Sequence, residues 1–224
     1  MKRPLRTGAV LLLTLVLAGA LLALAGRVKA APLIVLDGTF DDWTGQMCVP
    51  DPEGDARTRE TDILSFCLAN NPDAAVQFFM LERQPAKHLL SLSLWVDTDN
   101  DGIYTNPGDR EIRVDYRPTG NHSNVDVTVF NGAGAFLSAP ARGADWGEGM
   151  PENGGRVEWG VSFADLGISA GQPLRLYIQS RTGASASDTT GEVQWSPADA
   201  LGPLLLAGIM CGASAWLAKR KGSR

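Results

Sequence analysis

The chain has 224 residues, of which 44% are hydrophobic, and its 20 Lys and Arg against 25 Asp and Glu give a formal net charge of −5. The positive charge is concentrated at the two ends, because residues 31–199 hold only 11 of the 20 basic residues but all 25 acidic ones, a formal charge of −14. Such a surface repels phosphate backbones and anionic lipid, so the composition argues against a nucleic-acid-binding protein and favours cations as ligands.

The first 30 residues have the layout of a secretory signal. A short basic stretch opens the chain, and an uncharged run follows over residues 7–26. Residues 28–30, Val-Lys-Ala, then offer small or apolar side chains at the positions that a signal peptidase reads. This layout predicts a signal peptide at 1–30. The apolar run exceeds the usual ~7–15 residues of a signal core, so an uncleaved anchor is the alternative, and both predict export.

The middle of the chain, residues 31–198, has the pattern of one all-β domain. Apolar residues alternate with polar ones most clearly at residues 88–97, where Ser91, Ser93 and Trp95 share the polar face. One-sided alternation is typical of antiparallel sheets with one buried face. Further strands are predicted at residues 63–69, 76–82, 112–116, 125–129, 157–161 and 174–179, and one helical turn at residues 162–166. Short strands between turn residues predict an antiparallel β-sandwich, immunoglobulin-like or jelly-roll-like.

Two cysteines, Cys48 and Cys67, lie in the segment predicted to be exported. Outside the cytoplasm such a pair can oxidise, and a bridge across about twenty residues would contribute on the order of 3 kcal/mol. Two separate buried thiols are the alternative, and the spacing alone does not decide between them.

Residues 97–102 read Asp-Thr-Asp-Asn-Asp-Gly, the richest cluster of metal-ligating side chains in the sequence. Carboxylates at alternate positions followed by glycine form a loop that curls around a hard cation, and oxygen-only ligands favour Ca²⁺. The loop is not an EF-hand, because its twelfth position is Gly108 and its flanks resemble strands. The predicted Ca²⁺ ligands are Asp97, Asp99, Asp101, Ile103 through its carbonyl, Asp109 and Glu111. A solvated acidic turn is the alternative.

A second acidic patch comprises Asp51, Glu53, Asp55 and Asp62. Its spacing matches no ligand template, so it is predicted to be a solvated loop.

The C-terminal residues are predicted to anchor the protein. Residues 200–218 carry no charge, and a helix needs ~20 apolar residues to cross a bilayer. The basic cluster that follows favours the cytoplasmic side. We predict a transmembrane helix at 199–218, a cytoplasmic tail at 219–224 and a single-pass cell-membrane protein with an extracytoplasmic domain. Gly208 and Gly212 have a spacing that permits a weak homodimer.

Signals of catalysis are sparse. The chain has only two histidines, His88 and His122, and no nucleophile, metalloprotease or phosphate-loop motif. Paired carboxylates keep a glycosidase open, but no acid lies in an apolar stretch that would raise its pKa. The expectation is therefore a protein that is not an enzyme.

Several motifs resemble, in the same order, those of carbohydrate-binding-module family nine and its DOMON-like relatives. They are residues 36–43 (Leu-Asp-Gly-Thr-Phe-Asp-Asp-Trp), 61–63, 97–102, 108–112, 157–161, 165–167 and 188–191. The resemblance covers nearly all of residues 33–196. It implies a β-sandwich, often with structural calcium, that binds sugars or, in some DOMON branches, haem. Sugar-binding members clamp the ligand between two tryptophans, and no such pair can be assigned here.

Three function hypotheses follow. The first is a membrane-anchored, calcium-stabilised module that binds carbohydrate through Trp95, Trp146 and Tyr177, while Trp43 and Trp159 are expected in the core. The second is a structural domain that binds another envelope protein and no small ligand, since only about four residues separate the last strand from the membrane run. The third is a haem-binding electron-transfer domain with Met80 and His88 as axial ligands.

Overall fold

The structure is a computed structural model that describes residues 33–71, 75–119, 122–140, 147–148, 154–183 and 185–196. The predicted signal peptide at 1–30, the transmembrane helix at 199–218 and the tail at 219–224 lie outside these residues, as do Trp146, Gly208 and Gly212. Within the described ranges, no helix combines the length and the apolar character that crossing a bilayer requires.

In this part of the chain, strands account for almost all regular structure. The single α-helical turn is α1 (Phe163–Leu166), and two 3₁₀ turns lie at Asp41–Trp43 and Arg59–Thr61. The strands are β1 (Met47–Pro50), β2 (Ile63–Asn71), β3 (Val76–Arg83), β4 (Leu90–Asp97), β5 (Arg110–Thr119), β6 (His122–Asn131), β7 (Phe136–Ser138), β8 (Gly147–Glu148), β9 (Arg156–Ser162), β10 (Leu174–Thr182), β11 (Ser185–Thr189) and β12 (Val193–Trp195).

These strands form two antiparallel sheets. The five-stranded sheet has the order β1-β2-β3-β9-β8, and the seven-stranded sheet has the order β11-β10-β4-β5-β6-β7 with β12 paired to β10. The predicted all-β antiparallel architecture is confirmed. Every predicted strand and the helical turn are present, including a last strand that ends at Trp195, whereas β1, β7, β8 and β11 were not predicted. Those four have two to five residues each, too few to display a clear alternating pattern.

The two sheets pack face to face around one apolar core. Phe79 of the five-stranded sheet stacks between Phe66 and Trp159, with ring centroids 6.1 and 5.5 Å away. The facing sheet contributes the apolar side of β4, whose four apolar side chains are buried as the alternation predicts. Trp159 is fully buried here, which confirms its predicted place in the core.

A second apolar cluster lies on the outer face of the five-stranded sheet. Ile34, Phe40 and Trp43, from the segment that precedes β1, pack on side chains of β2 and β3. Glu158 of β9 fixes this covering segment, because its Oε2 accepts a hydrogen bond from Trp43 Nε1 at 2.8 Å and its Oε1 accepts two backbone N–H bonds from residues 37 and 38. Trp43 is therefore buried as expected, although outside the space between the sheets.

Cys48 and Cys67 are joined by a disulfide bond. They face each other directly in the β1–β2 register, with their Cα atoms 4.0 Å apart. Of the two alternatives that the sequence left open, the structure has the bridge.

Candidate metal centre and outer sheet face

The acidic loop connects β4 to β5 at one end of the seven-stranded sheet. Asp97 is the last residue of β4 and Asp109 directly precedes β5. Both side chains are completely buried, whereas Asp99 is exposed. Carboxylate oxygens from Asp97, Asp99 and Asp109 lie within 4.8 Å of one another. The fold thus brings together three of the six residues that the sequence predicted as Ca²⁺ ligands.

Backbone amides hold the two buried carboxylates. Asp97 accepts N–H bonds from Asp101 at 3.2 Å and Gly102 at 2.8 Å, which curl the loop back onto the end of β4. The turn needs left-handed backbone at Asn100 and Gly102, where φ is 61° and 87°, conformations that Asn and Gly adopt more readily than other residues.

Asp109 closes the other end of the loop. Its Oδ1 accepts from the Thr98 N–H at 2.9 Å, and its Oδ2 accepts from the Asn106 N–H at 3.1 Å. Among the described residues, no Lys or Arg forms an ion pair with the carboxylates of Asp97, Asp99 or Asp109. Partial desolvation, together with the nearby charges of Asp101 and Asp109, raises the pKa of Asp99. The charge of Arg110 acts on Asp109, but its guanidinium donates to the backbone carbonyls of residues 108, 109 and 165 and not to a carboxylate of the cluster.

The other predicted ligands have different partners. Asp101 accepts from the Ile103 N–H at 2.7 Å and from Asn106 Nδ2 at 2.9 Å, so its carboxylate shapes the loop. The Ile103 side chain is exposed. Glu111 lies on β5, where it pairs with Arg113 at 2.7 Å. Although burial opposes it, the hydrogen bonds from Arg113 and Ser93 lower the pKa of Glu111.

Two of the three predicted aromatic ligand residues are neighbours on the outer face of the seven-stranded sheet. Trp95 of β4 and Tyr177 of β10 are directly paired in the strand register, and both are partly exposed. Trp95 Nε1 donates to Gln179 Oε1 at 3.3 Å, and the Tyr104 ring meets Tyr177 edge-on with centroids 4.8 Å apart. These contacts hold both rings on a polar sheet surface.

Trp95 and Tyr177 belong to a row of side chains, one from each neighbouring strand, that continues across the outer face of the sheet. In the registers of successive strands, Trp95 pairs with Glu111, Glu111 with Phe130, and Phe130 with Phe136. The Arg113 guanidinium covers the Phe130 ring at 4.1 Å from its centroid. In the described part of this face, accessible aromatic surface therefore lies at the Trp95–Tyr177 pair with the adjoining Tyr104, and at the edge residue Phe136, which is 62% exposed.

The residues of the haem hypothesis lie in different environments. Met80 is buried beneath the covering segment on the outer face of the five-stranded sheet. His88 is exposed and precedes β4 of the other sheet, and its carbonyl accepts a hydrogen bond from Arg83. No contact among the described residues brings the two side chains together.

Comparison of the chain with known protein families, with characterised proteins and with solved structures finds no match. The resemblance to carbohydrate-binding-module family nine therefore stays a prediction from the motifs.

Proposed function

We propose that this protein is an extracytoplasmic, membrane-anchored binding module stabilised by Ca²⁺, and not an enzyme. The observation that carries the calcium proposal is the group of Asp97, Asp99 and Asp109, with two of its carboxylates completely buried and, in the described part of the chain, no ion pair to a Lys or Arg. Buried charges in proteins are normally paired or bound to a metal ion. Oxygen-only ligands on an irregular loop suit Ca²⁺, which accepts variable geometry, better than Mg²⁺.

The loop should be less stable without the cation. Like charges ~4 Å apart repel by on the order of 1–4 kcal/mol, depending on the local dielectric. A ligand that binds only the folded state also adds stability, about 2.7 kcal/mol at a hundredfold excess over Kd. In the proposed site, Asp97, Asp99 and Asp109 bind the ion while Asp101 maintains the turn.

Chelation should therefore lower the melting temperature. At a Ca²⁺ concentration a hundredfold above Kd, we expect EDTA to reduce Tm by about 5–10 °C, using ~2–4 °C per kcal/mol for a domain of this size. Calorimetry of the full-length chain would measure the change, and added Ca²⁺ should restore Tm whereas Mg²⁺ should do so poorly.

Two variants make this test specific. In Ca²⁺, Asp99→Asn should melt below the wild type, and the addition of Ca²⁺ should raise its Tm by less. Asp126→Asn removes an exposed carboxylate of β6 that pairs with Arg117, and it should respond as the wild type does. Equal Tm values with EDTA and with Ca²⁺ in the wild type would show that the loop is only an acidic turn.

For the ligand, we propose a carbohydrate bound on the outer face at Trp95 and Tyr177. Aromatic rings offer flat apolar surface against which the apolar face of a sugar ring can pack. Arg113 and Gln179 lie on the same face, one residue pair along the strands from Trp95 and Tyr177, and carry guanidinium and amide groups that can form hydrogen bonds.

A glycan array followed by titration of the best polysaccharide would test this ligand class. We expect Trp95→Ala to weaken binding about tenfold, since an aromatic stacking contact contributes ~0.5–1.5 kcal/mol beyond the area it buries and 1.4 kcal/mol is tenfold. Phe136→Ala removes an exposed aromatic side chain at the far edge of the same row and serves as the control. Absence of glycan binding, with an envelope protein that co-purifies stably, would favour the second hypothesis.

A further inference from the structure

A second group of carboxylates is assembled from segments that are distant in sequence. Asp51 directly follows β1, Asp55 lies in the loop after it, and Asp188 belongs to β11 of the other sheet. Carboxylate oxygens from these three residues lie within 4.8 Å of one another. We infer that Asp51, Asp55 and Asp188 form a second divalent-cation site, of the Ca²⁺ class, which ties the loop after β1 to the edge of the seven-stranded sheet.

The observation that points to a ligand is an oxygen atom of Asp51. Its Oδ2 is buried from solvent, yet it accepts no hydrogen bond from any residue that the structure describes. A buried polar atom without a partner costs ~1–3 kcal/mol, and more when the group is charged. Native structures rarely retain such an atom unless water or an ion contacts it. In the group formed with Asp55 and Asp188, the atom has no protein donor to satisfy it, which is the situation of a metal ligand.

Asp188 is positioned as a rigid ligand. Only 6% of the residue is exposed, and its two oxygens accept N–H bonds from Ile63 and Thr189, each at 2.7 Å. A carboxylate oxygen has two lone pairs, so each atom can still bind a cation. Asp97 and Asp109 are held in the same way in the first group, by backbone amides that leave lone pairs free.

Asp62 shapes the loop around the site. It is 2% exposed and accepts backbone N–H bonds from Gly54 at 2.9 Å and from Ala56 at 3.4 Å. These bonds fold the chain on both sides of Asp55 inward. The Arg57 N–H donates to the Ser187 carbonyl at 3.1 Å, which joins this loop to β11. The loop is thus fixed against the strand that carries Asp188.

The charge balance of the group agrees with a bound cation. No ion pair between these acids and a Lys or Arg occurs in the described ranges. With oxygen ligands only and an exposed third ligand, Asp55, that leaves room for water, the donor set fits Ca²⁺ better than zinc or copper.

Counting bound Ca²⁺ in single-site variants separates this site from the first one. Equilibrium dialysis of the full-length chain against Ca²⁺ at neutral pH, with Ca²⁺ measured by atomic absorption, should find two equivalents per chain. Asp51→Asn and Asp55→Asn should each retain one equivalent. Because the Asp55 side chain is exposed, Asp55→Asn should leave the fold intact. Glu53→Gln is the matched control, since it removes a charge from the same loop outside the group, and it should retain two.

The outcomes are distinct for the two sites. If the wild type binds one equivalent, and Asp99→Asn abolishes it while Asp51→Asn and Asp55→Asn keep it, the second site does not exist and the first one stands. If the wild type binds one equivalent, and that equivalent persists in Asp99→Asn but is lost in Asp55→Asn, the second site stands and the calcium proposal for the β4–β5 loop fails. Two equivalents in Asp51→Asn and Asp55→Asn would also overturn the inference, because neither carboxylate would then be a ligand.

Discussion

Replacing Arg83 by methionine should lower the free energy of unfolding by about 3–5 kcal/mol, because it leaves buried backbone carbonyls without donors and each unsatisfied buried group costs ~1–3 kcal/mol. Arg83 ends β3 and is 1% exposed, and it is one of the largest fully buried side chains. Burial lowers its pKa to about 10, so it keeps its charge at neutral pH. This charge is buried without a carboxylate that pairs with it in the described residues.

Backbone carbonyls take the place of a counter-ion. Arg83 Nε donates to Gly154 O and one terminal nitrogen donates to Glu60 O, both at 2.7 Å. The other terminal nitrogen donates to the carbonyls of Ala86 and His88 at 2.8 and 2.9 Å. One guanidinium therefore connects three loops at one end of the sandwich. Methionine fills a similar volume but leaves four carbonyls without these charge-assisted bonds.

Denaturant unfolding of the variants would measure this effect. Arg83→Lys should lie between wild type and Arg83→Met, since an ammonium keeps the charge but lacks the planar fork that reaches several carbonyls at once. Arg117→Met is the control, because Arg117 is 44% exposed and pairs with Asp126 on the surface, where an ion pair contributes ~0–1 kcal/mol. A loss below 1 kcal/mol for Arg83→Met would show that the loops are held by other contacts.

The long strands could be predicted from sequence because their pattern is local. In β4 the apolar and polar residues alternate over the whole strand, and both the burial and the outward position of Trp95 follow from that alternation. The covering segment before β1 has no such period. Its burial depends on Glu158, more than a hundred residues later, and on the apolar outer face of β3. Neither contact can be predicted from a local sequence pattern.

The candidate metal residues likewise divide into those that a local sequence pattern predicts and those that depend on the fold. Spacing alone identified Asp97 and Asp99, because alternate positions of a tight loop point to one centre. It did not distinguish Asp101, which turns back to accept the Ile103 N–H, from Asp109, which is buried beside Asp97. The second group could not be found at all from spacing. Asp188 joins Asp51 and Asp55 only because β11 lies near the loop after β1 in the fold.

The disulfide should have the next largest effect on stability. Breaking the Cys48–Cys67 bond releases a loop closed across a sequence separation of 19, which by the chain-entropy estimate costs about 3 kcal/mol. For a domain of this size, that corresponds to a fall in Tm of roughly 6–12 °C. Calorimetry with and without a thiol reductant would measure it, and the exposure of Cys48 gives the reductant access to the bond.

Because of where the disulfide lies, breaking it should loosen mainly the edge of the five-stranded sheet. β1 is an edge strand of four residues that pairs only with β2, and Asp51 follows it directly. Without the bridge, β1 should fray before the rest of the sheet, because only a short ladder of backbone hydrogen bonds holds it. Hydrogen exchange should then rise at the amides of residues 47–49 and in the loop that carries Asp51 and Asp55, while β4 and β5 keep their protection.

The double variant Cys48→Ala/Cys67→Ala separates loss of the bond from side effects of the reductant. It should match the reduced wild type in Tm and should not respond to reductant. Cys67 is 1% exposed among apolar neighbours on the outer face of the five-stranded sheet, so alanine there adds a small packing loss that Cys67→Val would reduce. If reductant leaves the Tm of the wild type unchanged, while a thiol assay shows that both cysteines have become free, the bridge contributes nothing, and the β1–β2 ladder alone holds the edge of the sheet.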